Sequence, residues 1–119
     1  MSALLPSPSP LRGEVWMLNF DPTRGHEQAG TRPALIISVD VFNAGHADLV
    51  IVLPITSRSK GVRSHVAVRP PEGGLSIESY IKCEDVRSVA KERLHRRLGD
   101  ISSGTMAAVE DKLRILLNL

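Results

Sequence analysis

Cysteine is all but missing from this chain: Cys83 is the single cysteine in 119 residues. That excludes an internal disulfide and a cysteine-rich metal site, and the expected setting is the reducing cytoplasm. Aromatic residues are only 3% of the total, so the core has to be built from Val, Ile and Leu. Stacking on nucleobases or on proline-rich peptides would have few candidates, namely Trp16, Phe20, Phe42 and Tyr80. No apolar run approaches the roughly 20 residues of a bilayer span, so no membrane association is expected. The glycine patterns of P-loop and dinucleotide-binding folds are missing, as are internal repeats and any alternation of strands with long helices. No His, Asp and Glu cluster has metal-ligand spacing, so neither a metal nor another cofactor is expected. Residues 1–10 alternate Ser with Pro and lack a positive start and a long apolar run. They read as a flexible tail rather than a secretory signal, with residues 11–119 as one domain.

The charge balance is mild. Fifteen Lys and Arg against 13 Asp and Glu give a net charge of +2, with a pI near 9.0. A polyanionic partner is permitted but not demanded.

What is present is organised around residues 20–38, which read as a strand end, a long polar loop and a second strand. Asp21-Pro22 opens the loop, and Gly25 and Gly30 let the backbone bend. Between those glycines stand His26, Glu27 and Gln28, with Arg32 just beyond. An imidazole, a carboxylate, an amide and a guanidinium this close suit proton transfer and phosphate handling. A polar surface hairpin loop fits the same residue types.

Elsewhere the pattern is that of short strands. Residues 12–20 carry apolar side chains on both faces, as in a small barrel. Residues 34–38 form the next strand, and 39–44 read as a helical turn. Residues 49–53 are apolar and rich in β-branched side chains, with Pro54 as the strand end or a bulge. Arg58, Lys60, Gly61 and Arg63 make a basic loop. Strands follow at 65–69, 79–81 and 84–89, bent near Lys82-Cys83, where alternation points Cys83 inward. Residues 91–94 read as a helical turn, and Arg93, His95, Arg96 and Arg97 as a solvated basic face. Ser102 or Ser103 can cap a final helix whose apolar face is Met106, Val109, Leu113, Leu116 and Leu117. That face suits packing on the sheet, or in part a subunit interface. About six short strands and one C-terminal helix predict a mainly β, α+β chain folded as a small, strongly bent antiparallel barrel.

Several segments then match a known family in order. Arg12-Gly-Glu-Val-Trp is followed by Asp21-Pro-Thr-x-Gly-His-Glu-Gln-x-Gly-Thr-Arg-Pro33. Phe42-Asn43, Pro54-Ile-Thr-Ser57 and Lys82-Cys-Glu-x-x-Arg-Ser-Val89 come next, and the amphipathic helix closes the series. From about residue 12 to 119 the chain closely resembles the MazF/PemK (Kid-like) toxins of type II toxin–antitoxin systems, and His26 resembles the PemK branch in particular. The resemblance implies an SH3-like, CcdB–PemK-type barrel, a homodimer, and sequence-specific cleavage of single-stranded RNA without metal (an mRNA interferase). It also implies a cognate MazE/PemI-like antitoxin whose disordered tail covers the active site.

Cleavage by the substrate's own 2′-hydroxyl needs a base, an acid and positive charge or donors on the phosphate. Arg32 suits the phosphate through its planar fork, and Thr56 can add a hydroxyl. His26 can accept or donate a proton near neutrality. The resemblance puts Glu84 where the PemK branch has an aspartate thought to be the base. It puts Lys82 where that branch has an arginine thought to be the acid. Both keep the charge and change the geometry, and a surface ion pair between them is the plainer role. Glu27, Gln28 and Ser57 are expected to order the loop or orient RNA, and Arg58, Lys60 and Arg63 to follow its backbone. Two other readings compete: a CcdB-like toxin that binds gyrase and cuts nothing, and an SH3-like peptide-binding module. The loop residues with Thr56 argue against the first, and the dearth of aromatics against the second.

Overall fold

The computed structural model describes residues 9–20 and 30–119. Seven strands, all paired antiparallel, form one sheet among these residues. They are β1 Glu14–Asn19, β2 Thr31–Ile36, β3 Leu49–Thr56, β4 His65–Val68, β5 Ser79–Lys82, β6 Arg87–Ala90 and β7 Leu94–Asp100. A one-turn helix, α1 Asp40–Asn43, follows β2, and the helix α2 Ser103–Leu117 closes the chain.

Alternation along β1, β2 and β3 divides the core in two. Trp16, Leu18, Ala34, Ile36, Val50 and Val52 join Phe20 and Leu94 in one buried cluster. This is the interior of the bent circuit β7-β1-β2-β3-β6, in which the turn Lys91–Arg93 links β6 to β7. On the other faces of the same strands, Val15, Leu35, Leu53 and Ile55 join Val66, Val68, Ile81, Cys83 and Val109. That second cluster is covered by the β4–β5 hairpin and by α2. Cys83 is fully buried, as alternation predicts, and burial pushes its thiol up to about 11. Ser102 caps α2 by accepting a hydrogen bond from the Thr105 N–H at 3.1 Å. Met106, Val109 and Leu113 pack inward. Leu116 and Leu117, expected on the same face, are exposed.

Two expectations are corrected. β3 does not stop at Pro54 but runs on to Thr56. Its ladder to β6 ends at Val52 and its ladder to β5 begins at Ile55. Pro54, with no N–H to donate, falls in the interval. The basic face at residues 93–97 belongs mostly to a seventh strand. Pairing of β7 with β1 jumps from Gly99 to Arg97 and from Arg96 to Leu94. These irregularities break the two-residue period, so three exposed polar residues stand in a row.

Residues named in the sequence motifs hold this frame. Arg12 reaches the Ile37 carbonyl and, at 2.6 Å, Glu110 of α2. The buried Glu14 carboxylate accepts from Trp16 Nε1 at 3.0 Å and Arg97 Nε at 2.9 Å. Asn43, fully buried, donates to the carbonyls of Pro10 and Ser38 at 2.9 and 3.1 Å. Lys91 donates to the Asn43 carbonyl at 2.7 Å, tying α1 to the turn between β6 and β7. The corner between β5 and β6 is held by Asp85, which accepts from Arg87 at 2.8 and 2.9 Å and lies 3.6 Å from Lys82 Nζ. The Arg87 guanidinium also sits 5.1 Å from the centroid of the Phe20 ring.

Gly74 has φ +70°, and a Cβ there would lie 2.0 Å from the Leu98 carbonyl oxygen of β7. We expect Gly74→Ala to lower unfolding free energy by about 3 kcal/mol or more, combining backbone strain with a forced shift of β7. Gly61→Ala, at φ +63° but with open space around it, should cost only about 1 kcal/mol; urea unfolding midpoints measure both. At Asp85, burial pushes the carboxyl up, but hydrogen bonds and attraction from Arg87 and Lys82 outweigh it and hold the group below its ordinary value of 3.8. The contribution to stability is therefore present above that value and lost as pH falls through the lower folded value. Unfolding midpoints followed downward from pH ~6 should show this acid-dependent loss in the parent chain and less of it in Asp85→Asn.

Candidate active site

One open groove of about 1100 Å³ collects side chains that are far apart in sequence. β2 contributes Arg32 and Pro33, and the end of β3 contributes Thr56, followed by Ser57, Arg58 and Lys60. The β4–β5 hairpin contributes His65 and Lys82, with Glu84 just past β5, and β7 contributes Arg96 and Leu98. Seven of the expected site residues (Arg32, Thr56, Ser57, Arg58, Lys60, Lys82 and Glu84) thus line one surface. Arg63 is in the same exposed loop but outside the groove lining. His26, Glu27 and Gln28 lie outside the described residues. Phe20 and Gly30, which flank them, are joined by a hydrogen bond in which the Phe20 N–H donates to the Gly30 carbonyl at 2.9 Å.

The groove wall has cations with no ion-pair partner among the described residues: Arg32, Arg58, Lys60 and Arg96. Other arginines are spent within the frame. Arg12 pairs with Glu110, Arg97 with Glu14 and Asp100, and Arg87 with Asp85. The Thr56 hydroxyl oxygen accepts from the Arg58 N–H at 3.1 Å, which fixes the turn and leaves the hydroxyl hydrogen to donate into the groove.

Lys82 and Glu84 do not pair with one another. Lys82 is drawn to Asp85, whereas Glu84 turns to the start of β4. Glu84 Oε1 accepts from Ser64 Oγ at 2.6 Å, and Oε2 lies 3.0 Å from His65 Nε2. Partial burial pushes the Glu84 carboxyl up. Hydrogen bonds from Ser64, the backbone and His65, with attraction to His65, outweigh it and hold the group below the ordinary glutamate range. A carboxylate so stabilised is a weaker proton acceptor than a free one. His65 and Arg96 are groove residues that sequence reasoning missed, as it did Ser64, which lies outside the lining and holds Glu84. The register His65↔Lys82 that brings His65 to this corner exists only once β4 and β5 pair.

The comparisons with known proteins agree with this architecture. A family profile described as the PemK-like, MazF-like toxin of type II toxin–antitoxin systems matches residues 11–117. Endoribonuclease MazF9 of Mycobacterium tuberculosis is 34% identical over 113 residues, covering 91% of this chain and 96% of that protein. Endoribonuclease PemK of Escherichia coli is 35% identical over 108 residues, covering 89% and 80%. The crystal structure of MazF from Deinococcus radiodurans superposes with a TM-score of 0.83 at 33% identity, covering 94% of this chain and 99% of that one. In complex with MazE the same toxin gives a TM-score of 0.78 at 34% identity, with coverage of 94% and 98%. From its profile, its relatives and its barrel alike, this chain belongs to the PemK-like, MazF-like toxins of type II toxin–antitoxin systems.

Proposed function

We propose that this toxin is a metal-independent endoribonuclease that cuts single-stranded RNA at chosen sequences, and that the groove holding Arg32 and Thr56 is where it cuts. The observation that carries the reading is the convergence of a guanidinium from β2 and a hydroxyl from the end of β3, neither tied to a carboxylate, on one basic groove. A phosphodiester is the group such a pair suits. The Arg32 fork and the Thr56 O–H donate to its non-bridging oxygens and stabilise the charge that grows as phosphorus becomes five-coordinate.

The substrate supplies the nucleophile. Its 2′-hydroxyl loses a proton to a base and attacks the adjacent phosphorus. The bond to the 5′-oxygen breaks, and that oxygen takes up a proton. The products are a 2′,3′-cyclic phosphate and a 5′-hydroxyl, with no water or metal consumed. We assign the proton transfers to His26, on the basis of sequence, with Lys82 as a further donor at the leaving oxygen. Arg58, Lys60 and Arg63 would track the backbone, and Glu27, Gln28 and Ser57 would orient the chain. The names of related complexes support a MazE-like antitoxin as partner. The exposed Ile115, Leu116, Leu117 and Leu119 at the end of α2 suit a homodimer contact. No helix among the described residues is long and apolar enough to cross a membrane, and we propose a cytoplasmic location and one domain over residues 11–119, with 1–10 as a tail.

The purified protein should cut a long single-stranded RNA into discrete fragments in excess EDTA. The new ends should be 2′,3′-cyclic phosphate and 5′-hydroxyl, read by end-specific ligation. Arg32→Ala should lose about 10²- to 10³-fold in kcat/KM with an unchanged melting temperature. Equal cutting by Arg32→Ala, or cutting that stops in EDTA, would contradict the assignment.

A further inference from the structure

Among the described residues, Glu84 is the one carboxylate lining a groove whose other charged groups are cationic or imidazole. Its place is built. Ser64 and His65 hold one carboxylate oxygen each. The His65 side chain is only 6% exposed, and its Nδ1 is buried with no hydrogen-bond partner among the described residues. An orphaned buried ring nitrogen is costly, so the ring orientation is not set by satisfying Nδ1. It is set by Nε2, which faces a carboxylate and so carries a hydrogen in either charge state. Glu84 itself stays 36% exposed. No arginine or lysine among the described residues pairs with it, Lys82 being drawn to Asp85, so its exposed side is left to accept from a ligand.

A fixed anion of this kind repels phosphate and is poorly suited to removing a proton. It is well suited to accept hydrogen bonds from a donor-bearing edge. Among the parts of a single-stranded RNA, such an edge is found on the unpaired base: the amino group of cytosine, adenine or guanine. Uracil has no amino group; its one donor on that edge, N3–H, is flanked by two carbonyl oxygens that would be brought against the carboxylate. We infer that Glu84, held by Ser64 and His65, is a specificity-determining residue that reads an amino-bearing nucleobase next to the cut site. The inference rests on the reading of the groove as an RNA site, and it removes Glu84 from the proton transfers that the family resemblance implies for it.

The test is a map of all cut positions in a long random-sequence RNA, made with the full chain and with Glu84→Gln and Ser64→Ala. The parent should disfavour uracil by about 10-fold or more at one fixed offset from the cut. Glu84→Gln, whose amide can donate as well as accept, should keep cutting and lose that exclusion, with preferences at other offsets retained. Ser64→Ala should shift the same offset in the same direction by less, and it keeps the question open to test if Glu84→Gln does not fold. Uniform loss of cutting at every site by folded Glu84→Gln would make Glu84 a proton-transfer group and overturn the inference. So would an unchanged map, including one accompanied by weaker antitoxin binding. A parent chain that cuts no RNA would overturn the functional reading itself, and this inference with it.

Discussion

β3 imposes the constraint that the rest of the structure answers. Leu49–Thr56 is apolar on both faces, with Val50 and Val52 in one core cluster and Leu53 and Ile55 in the other. A strand of that kind is stable only when both faces are covered. The barrel interior covers one, and the β4–β5 hairpin with α2 covers the other. Its edges are used as fully, by β2 on one side and by β6 and then β5 on the other. Full enclosure along the strand fixes where it must emerge. It emerges at Thr56, between the start of β2 and the start of β5, and the groove is the gap left where these elements separate.

Charge is distributed to match. Arginines that brace the barrel each have a carboxylate: Arg12 with Glu110, Arg97 with Glu14 and Asp100, Arg87 with Asp85. The most exposed of these pairs, Arg97 with Asp100, contributes little to stability. The effect of the pairs together is to leave Arg32, Arg58, Lys60 and Arg96 as the uncompensated charge on the groove. The surface therefore presents positive potential where a polyanion would lie, although the whole chain carries a net charge of only +2.

Much of this was legible in the sequence because it depends on local pattern. β3 announced itself by its β-branched run, α2 by helical spacing behind a serine cap, and the inward turn of Cys83 by alternation. Arg32 and Thr56 were singled out by residue type beside a turn and a strand end and by the family resemblance, and the fold sets both on one groove. What failed depended on pairing between distant segments. β7 was hidden because two irregularities against β1 spoil its alternation, so His95, Arg96 and Arg97 read as a solvated face. His65 gave no signal because its meaning comes from the register of β4 on β5. The alternative reading of Lys82 and Glu84 as an ion pair gave way to Lys82–Asp85, since the chain turns at Cys83 and Glu84 and carries Asp85 back over Lys82. The charged members of Arg12-Gly-Glu-Val-Trp were read only as part of a family marker, yet they prove to be struts between the barrel, α1 and α2.

The central claim is that residues from β2, β3, β4, β5 and β7 form a single RNA-binding surface. The most direct measurement is a backbone amide chemical-shift titration of the ¹⁵N-labelled chain with a short single-stranded RNA made uncleavable by 2′-O-methyl groups. The account predicts that Arg32, Thr56, His65, Glu84 and Arg96 shift together and saturate at the same RNA concentration, while Val39, Val41 and Asp111, on α1 and α2 or beside them, stay in place. Shifts confined to α2, or separate saturation of the β2 and β5 residues, would contradict it.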